Sequence, residues 1–468
     1  MKEKIRSRYL LKNTIIFAIG SFGTKMISFF LVPLYTNILT IQEYGTVDLF
    51  NTICMVLVPI LTLNISDSVM RFALDKNSNK EEIMSIGLLC LGISVILGCL
   101  IFPFINLINI DADFAIYIYI YTVTQGFSQV FLMYLRGKEK LLEYSIGSII
   151  QSFTIALFNI IFLIVLKKGI KGYFTAYILS NIITACYAFI CGNVKEVFIK
   201  FEIKWGLAKQ MVKYSIVLIP NTFMWWIMNS SDRIMVTAML GAAANGIYAI
   251  AYKIPTLLNT ITGIFNQAWS YSAISEADCE DIDEYSNKVY NNLVSIVVLV
   301  ATLLLIMMKP FLKIYVDKSY YIAWMYTPFL IIAFVFMTLG SFLATSYTVS
   351  KDSKGFLYSG IVGAIINLVL NWILIPKIGV FGAAIATCIS YISVYLYRSL
   401  DIQKYNRINI FEKKHIIGYF LLVIISITMF YDSKVQMILY TLELLGVIYL
   451  YKDNYICFLK KIKNKSNS

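Results

Sequence analysis

Residues 323–346 read AWMYTPFLIIAFVFMTLGSFLATS, a mostly apolar stretch that contains no charged side chain. A helix of this length crosses a hydrocarbon core about 30 Å thick. Thirteen other stretches of similar character follow one another along the chain. The sequence therefore predicts an all-α polytopic membrane protein with about 14 transmembrane helices, at residues 12–35, 45–66, 82–105, 114–136, 142–166, 170–191, 211–233, 243–265, 288–309, 323–346, 356–375, 379–398, 415–431 and 436–452.

The composition supports this class. Of the 468 residues, 59% are hydrophobic and 14% are charged, whereas about 25% are charged in ordinary soluble domains. The net charge of +13 does not indicate a nucleic-acid partner, because basic residues also gather at the cytoplasmic ends of membrane helices. The eight cysteines form no CxxC pair and have no zinc-ligand spacing, so we expect free thiols, no metal site and no cofactor.

The positions of the basic residues predict the orientation. An even number of spans places both termini on one side, and about three quarters of the 40 lysines and arginines fall in the loops and tails of that side. We therefore expect a multi-pass protein of the cell membrane with both termini in the cytoplasm. The acidic run from Glu276 to Glu284 lies in a loop on this side and is interpreted as solvated.

Short motifs recur along the chain. Gly169-Ile-Lys-Gly172 opens the sixth span and Gly379-Val-Phe-Gly382 opens the twelfth, while Glu43-Tyr44-Gly45 and Ala244-Asn245-Gly246 occupy matching places near the starts of the second and eighth spans. Six spans thus repeat as six more, an arrangement described for two-lobed transporters. The predicted domains are an N-terminal six-helix lobe (1–200), a C-terminal six-helix lobe (201–405) around a central cleft, and two extra helices with a basic cytoplasmic tail (406–468).

Two lysines lie inside predicted spans. Lys25 and Lys253 are each about ten residues from the outer end of their helix, or about 15 Å deep. A charge at this depth costs about 2.5–3.5 kcal/mol, so its presence indicates function. Two ammonium groups at matching depth in opposite lobes favour a phosphate or diphosphate between them; the alternative is that each snorkels or pairs with a helix carbonyl or carboxylate.

Three other charged residues lie nearer the ends of spans. Asp48 can salt-bridge a lysine, bind a coupling proton or cation, or simply be hydrated, and a structural role is favoured. Arg71 follows the second span and Arg233 ends the seventh. Both arginines can guide a phosphate, although an arginine at a helix end is commonly an interfacial anchor.

Polar uncharged side chains supply a second group of candidates. Amides hydrogen-bond sugar hydroxyls and indole rings stack on sugar rings, while the alternative roles are interhelical hydrogen bonding and anchoring at the lipid interface. The sugar-binding candidates are Gln125, Gln129, Trp225, Trp226 and Asn229.

The sequence lacks the signatures of several classes of catalytic site. His415 is the only histidine, no Gly-rich P-loop is present and no long external loop separates the spans. These features do not predict an enzyme.

The motifs together resemble the Wzx-type polysaccharide and lipid-linked oligosaccharide flippases, which are MATE-like members of the multidrug/oligosaccharidyl-lipid/polysaccharide exporter superfamily. The resemblance covers about residues 8–450. The residues that carry it are Gly20 to Lys25, Glu43-Tyr44-Gly45, Met70-Arg71-Phe72, Ser231-Asp232-Arg233, Gly246-Ile-Tyr248-Ala-Ile-Ala251 and Gly379-Val-Phe-Gly382-Ala-Ala.

The resemblance implies alternating access by two lobes around a basic cavity. It implies that the substrate is a polyprenyl-diphosphate-linked oligosaccharide repeat unit, moved from the inner to the outer leaflet for surface polysaccharide biosynthesis. Lys25, Arg71 and Arg233 match family positions as diphosphate contacts, and Lys253 is added from its depth. The expected partners are membrane lipids and the polymerase and glycosyltransferases of the same pathway. A multidrug or cation antiporter of the same superfamily and a membrane glycosyl-polymerase remain as alternatives.

Overall fold

A computed structural model describes residues 23, 25–75, 78–101, 112–276, 281–350, 352–431, 434–456 and 460. Several features of the sequence lie outside these residues: positions 12–22 of the first predicted span, Gly20 of the first motif, and Asp278 and Glu280 of the acidic run.

Across the described residues the chain is helical and contains no β-strand. A π-helical turn at Ile160–Val165 extends α6, and 3-10 turns occupy Lys318–Met325 and Ile402–Lys404. The α-helices are α1 (25–38), α2 (Ile41–Leu61), α3 (Ile65–Ala73), α4 (Lys80–Ile101), α5 (Ala112–Gly137), α6 (Leu141–Asn159), α7 (Gly169–Cys191), α8 (Val194–Ile199), α9 (Trp205–Leu240), α10 (Ala242–Ser275), α11 (Ile282–Tyr315), α12 (Thr327–Val349), α13 (Ser353–Ile378), α14 (Val380–Asp401), α15 (Lys413–Thr428) and α16 (Lys434–Leu450).

Within the described residues, each predicted span after the first coincides with one helix (α2, α4–α7 and α9–α16), and the short helices α3 and α8 fall largely between spans. Eight of the described helices are long and apolar enough to cross a membrane by length and composition. The prediction of an all-α polytopic membrane protein is confirmed. The main difference is length: α9, α10 and α11 continue well beyond the predicted ends. The added turns are polar at the end of α10 and the start of α11, whereas α9 continues past the charged pair Asp232-Arg233 through the apolar residues 234–240.

The chain forms two compact units, Met1–Trp226 and Ile227–Ser468. In the first unit, α5 packs against α3 and α7, and α6 packs against α7. Its buried core includes Ile65, Val69, Met84, Val130 and Tyr134.

In the second unit, α12 is the most enclosed of the candidate spans, with 78% of its apolar window buried. It packs against α10, α11 and α14, while α13 and α14 form a closely packed pair. The appended helices α15 and α16 pack on α11, where the His415 ring bonds Asn291 at 2.6 Å. The two terminal helices are therefore attached to the second unit through a polar as well as an apolar interface.

The repeated glycine motifs adopt the same local structure in both units. Gly169 and Gly379 have φ angles of +53° and +63°, which L side chains rarely adopt. The second glycine of each motif packs against the preceding helical segment. A Cβ atom on Gly172 would lie 3.2 Å from the carbonyl oxygen of Phe162, and one on Gly382 would lie 2.5 Å from that of Leu374. The motif therefore joins two helices through a tight turn and a close backbone approach.

The structure at the start of α2 explains the role of Glu43 in the Glu43-Tyr44-Gly45 motif. The Thr40 side chain accepts a hydrogen bond from the Glu43 amide at 3.2 Å, and Glu43 Oε2 accepts one from the Thr40 amide at 2.9 Å. This capping box satisfies two amide groups that the helix itself leaves without partners. Glu43 therefore serves to start the helix.

Candidate functional site

A buried carboxylate lies in the second unit, where α9, α10 and α14 meet. Asp232 is only 1% exposed. Its Oδ2 atom accepts hydrogen bonds from the hydroxyls of Tyr248 at 2.6 Å, Tyr252 at 2.8 Å and Thr387 at 3.2 Å. Its Oδ1 atom accepts one from the main-chain amide of Arg233 at 2.9 Å. Four donors thus replace the water that this carboxylate loses on burial.

The spacing of the two tyrosines in the sequence explains how both reach Asp232. Tyr248 and Tyr252 are four residues apart on α10, so their side chains share one helix face. Their rings contact edge to face, with centroids 5.1 Å apart. Both hydroxyls can therefore reach the same carboxylate oxygen on the neighbouring helix.

Arg233 places a positive charge near this carboxylate. Its guanidinium carbon lies 4.8 Å from the centroid of the Tyr252 ring, a distance typical of a cation–π contact. The side chain is half-buried and has further interactions of its own. Because the same tyrosine donates to Asp232, one residue contacts both a negative and a positive group.

Amide side chains extend the polar region along α13. Oδ1 of Asn367 accepts hydrogen bonds from Ser231 at 3.3 Å and from Nδ2 of Asn371 at 2.9 Å. Oδ1 of Asn371 is buried and has no hydrogen-bond partner within the described part of the chain. Asn229, a predicted sugar contact, accepts a 2.7 Å hydrogen bond from Tyr391. Its amide is thus part of an interhelical network inside the unit.

The predicted lysines differ in environment. Lys253 follows Tyr252 on α10; it is half-buried and has interactions of its own. Lys25 lies on α1 of the first unit and its side chain is exposed. Both are thus within helices, as their positions in the sequence predicted.

Arg71 ends α3 and has a different environment from Arg233. It forms an i,i+4 ion pair with Asp75 at 2.9 Å, and both side chains are more than half exposed. Such a pair contributes little stability and leaves the guanidinium available to an anion. Asp48, the predicted coupling residue, is buried on α2 and has an interaction of its own.

The amides of the first unit form a second network. Gln151 on α6 donates to Oδ1 of Asn181 at 2.9 Å and to Oε1 of Gln125 at 3.4 Å. Gln129 is half-buried one turn after Gln125 on α5. Gln125 therefore belongs to a three-helix hydrogen-bond network.

The two candidate tryptophans also belong to the first unit. The indole N–H of Trp226 donates to the carbonyl oxygen of Thr52 at 3.0 Å, and its ring stacks on Phe223 with centroids 5.7 Å apart. Trp226 thus links α9 to α2. The side chain of Trp225 lies outside the described residues.

Residues 10–278 match a family model described as "Polysaccharide biosynthesis protein". The chain belongs to the polysaccharide biosynthesis protein family. The match spans more than half of the sequence and confirms the resemblance inferred from the motifs.

Several solved structures of membrane transporters share the fold. The chain is 16% identical to a lipid II flippase MurJ in an inward closed conformation, covering 94% of this chain and 99% of that one with a TM-score of 0.66. It is 14% identical to an inward-facing multidrug resistance MATE family transporter of the MOP superfamily, covering 83% and 95% with a TM-score of 0.62. A MOP superfamily transporter from Pyrococcus furiosus, reported with a binding pocket of reverse polarity, is 15% identical, covering 84% and 95% with a TM-score of 0.58. No curated protein matches significantly.

Within this member of the polysaccharide biosynthesis protein family, sequence reasoning missed the hydroxyl cluster around Asp232. The Asp232-Arg233 pair was noticed only for its arginine, and Tyr248 only as part of a motif. The available signal was an aspartate inside a long apolar helix together with two tyrosines four residues apart on the next helix. A carboxylate in such a segment needs donors, and two tyrosines one turn apart on the next helix can supply them together.

Proposed function

We propose that this protein is a flippase that moves polyprenyl-diphosphate-linked oligosaccharide repeat units from the inner to the outer leaflet of the cell membrane. Membership of the polysaccharide biosynthesis protein family supports the pathway, and the fold supports transport. The repeat units then become the substrate of the polymerase, after the glycosyltransferases of the same pathway have assembled them. Both termini face the cytoplasm in this proposal.

The single observation that supports a diphosphate-linked substrate is a pair of basic residues on adjoining helices of the second unit, Arg233 on α9 and Lys253 on α10. Arg233 lies on the Tyr252 ring at 4.8 Å, and Lys253 is the next residue along α10. A diphosphate cannot cross hydrocarbon without donors that replace its water, because transfer of an unpaired charge into an apolar medium is prohibitive. Guanidinium and ammonium groups within membrane helices supply such donors.

Lys25 and Arg71 complete the proposed set of diphosphate contacts. Arg71 is exposed and only loosely held by Asp75, which suits a group that receives the headgroup at the membrane surface. The sugars are proposed to contact the amides and indoles at Gln125, Gln129, Trp225, Trp226 and Asn229. The lobes at 1–200 and 201–405 are proposed to rock for alternating access, with helices 406–468 as an appendix.

The coupling group is proposed to be a buried carboxylate. Asp48 was the candidate from the sequence, and Asp232 joins it because three hydroxyls converge on one of its oxygens. A carboxylate held by neutral donors can gain a proton or a coupling cation without breaking an ion pair. Gain and loss of this charge would bias the two access states.

The test is a double substitution, Lys25→Ala with Lys253→Ala, in a host whose own copy is deleted. Surface polysaccharide should be lost while the protein is inserted at its normal level. The control is Lys167→Ala with Lys209→Ala, one lysine in the turn before α7 and one exposed lysine near the start of α9, which should restore normal export. Normal export by the stably expressed Lys25/Lys253 variant would contradict the assignment. Lost drug resistance with unchanged glycans would indicate the antiporter instead.

A further inference from the structure

An apolar groove of about 390 Å³ lies on the first unit between α5 and α7. No polar surface lines it, and it is open rather than enclosed. Its walls are formed by side chains from residues 124–131 of α5 and 182–190 of α7. The principal ones are Phe127, Phe131, Ile182, Cys186, Phe189 and Ile190.

Two lysines are fixed at the end of this groove where both helices end. Lys138 Nζ donates to the carbonyl oxygen of Gly192 at 3.0 Å, and Lys140 Nζ donates to that of Cys191 at 2.8 Å. These carbonyls directly follow Ile190, which lines the groove. The ammonium groups therefore lie beside the last residues of the apolar walls, and each retains donors beyond the one that the carbonyl uses.

The two charges also act on each other. Burial, and after it the charge of Lys140, lowers the pKa of Lys138, while Glu81 and Glu196 act in the opposite direction. Lys138 is further held over the Tyr134 ring at 4.9 Å. Two neighbouring ammonium groups that repel each other are stabilised by an anion that contacts both.

The segment that follows the groove, from α8 to the start of α9, carries side chains that are typical of the membrane–water interface. The Phe198 ring of α8 lies 6.2 Å from that of Phe189 in the groove wall. Phe198 and Ile199 are 58% and 81% exposed, and Trp205, which begins α9, is 73% exposed. Exposed apolar and aromatic side chains beside lysines are typical of segments that lie at the headgroup level.

From the apolar lining and the paired ammonium groups, we propose that this groove binds one anionic phospholipid. One acyl chain lies along α5 and α7, and the phosphate contacts Lys138 and Lys140. Basic pockets between membrane helices bind anionic headgroups in this manner. By the positive-inside expectation the lipid belongs to the cytoplasmic leaflet. The proposal is independent of the transported substrate.

The test uses the purified full-length protein in detergent, titrated with dioleoyl phosphatidylglycerol or dioleoyl phosphatidylcholine and examined by native mass spectrometry. The unsubstituted protein should retain one phosphatidylglycerol, with at least tenfold preference over phosphatidylcholine. Lys138→Gln with Lys140→Gln should remove this preference, because two charges near the headgroup contribute about tenfold or more. Lys167→Gln with Lys168→Gln, in the turn between α6 and α7, should leave it unchanged.

A second variant tests the contribution of the apolar groove to lipid binding without changing the two lysines. Cys186→Trp places an indole in the groove from an exposed position and should abolish retention of the lipid with both lysines intact. Equal retention of the two lipids by the unsubstituted protein would overturn the proposal, as would retained preference in the Lys138/Lys140 variant or unchanged retention in Cys186→Trp. Displacement of phosphatidylglycerol by an equimolar polyprenyl phosphate would assign the groove to an isoprenoid ligand and overturn it as well.

Discussion

The hydroxyl of Tyr248 donates a 2.6 Å hydrogen bond to Oδ2 of Asp232, which joins α10 to a carboxylate buried on α9. Tyr252 and Thr387 donate to the same oxygen. The cluster therefore depends on a charged acceptor, since three hydroxyls point at one atom. Removal of this acceptor oxygen would leave hydroxyls on α10 and α14 without their shared partner.

Asp232→Asn should lower export at least about tenfold. The amide has nearly the same shape but lacks the charge, and a hydrogen bond to a charged group contributes about 1.5–3 kcal/mol. Export is measured as surface polysaccharide in the deletion host, with protein abundance determined by immunoblot. Asp113→Asn is the control, since Asp113 is exposed and paired with Lys171. Wild-type export by Asp232→Asn would exclude a coupling role for this carboxylate.

The two predicted arginines should differ in importance. Arg233→Gln should reduce export strongly, because it removes the charge held on the Tyr252 ring beside the buried carboxylate. Arg71→Gln should have a smaller effect, because Arg71 is exposed and its ion pair with Asp75 is solvated. The two single variants are compared in the same export assay. A larger loss in Arg71→Gln than in Arg233→Gln would reverse the proposed roles.

Gly382→Ala should destabilise the second unit by about 1–3 kcal/mol, the usual cost of overpacking. A Cβ atom there would meet the backbone of Leu374 and Ile375 on α13, which cannot move aside as a flexible side chain can. The matched control is Gly360→Ala on α13, where a Cβ atom meets nothing within 4 Å. Thermal unfolding in detergent measures both variants, and equal melting temperatures would refute the close approach.

Lys204→Gln should lower the melting temperature, because Lys204 contacts the nearly buried carboxylate of Glu82 at 2.5 Å. The hydrogen bond that Lys204 donates to the Glu82 carboxylate raises the pKa of Lys204 above its ordinary 10.5. A raised pKa means that this stabilisation is complete below pH 10.5 and is lost as the pH rises through the raised value.

The difference in melting temperature between the unsubstituted protein and Lys204→Gln should therefore stay constant from pH 6 to 9 and shrink only in strong alkali. Lys209→Gln, an exposed lysine on α9, serves as the control and should show no difference at any pH. A difference that changed within the neutral range would mean that another group is responsible.

The sequence was sufficient for the fold class because the bilayer imposes length and apolarity on every span. The repeat was also visible, since Gly169 and Gly379 need a positive φ and Gly172 and Gly382 need to lie close to the preceding segment. Helix ends were less predictable, because α10 and α11 continue through polar turns that carry no periodic apolar signal, and α9 continues past the charged pair Asp232-Arg233 that coincides with its predicted end.

The site was predictable only in part. Lys25, Lys253 and Arg233 could be proposed as site residues because charges within apolar helices are costly. Asp232 was overlooked as a site because its partners are hydroxyls from two other helices, and the third, Thr387, is far away in the chain. Amides such as Gln125 and Asn229 could not be assigned from sequence to a ligand or to a neighbouring helix, since both uses require the same residue types.

The most direct measurement of the central claim determines which leaflet holds the lipid-linked glycans after the gene is deleted in its host. An impermeant reagent that modifies only outward-facing sugars distinguishes the two leaflets. The account predicts complete repeat units confined to the inner leaflet, and their release to the outer leaflet when the gene is restored. Repeat units that reach the outer leaflet without this protein would contradict a flippase function; if they also remained unpolymerised, they would indicate a polymerase.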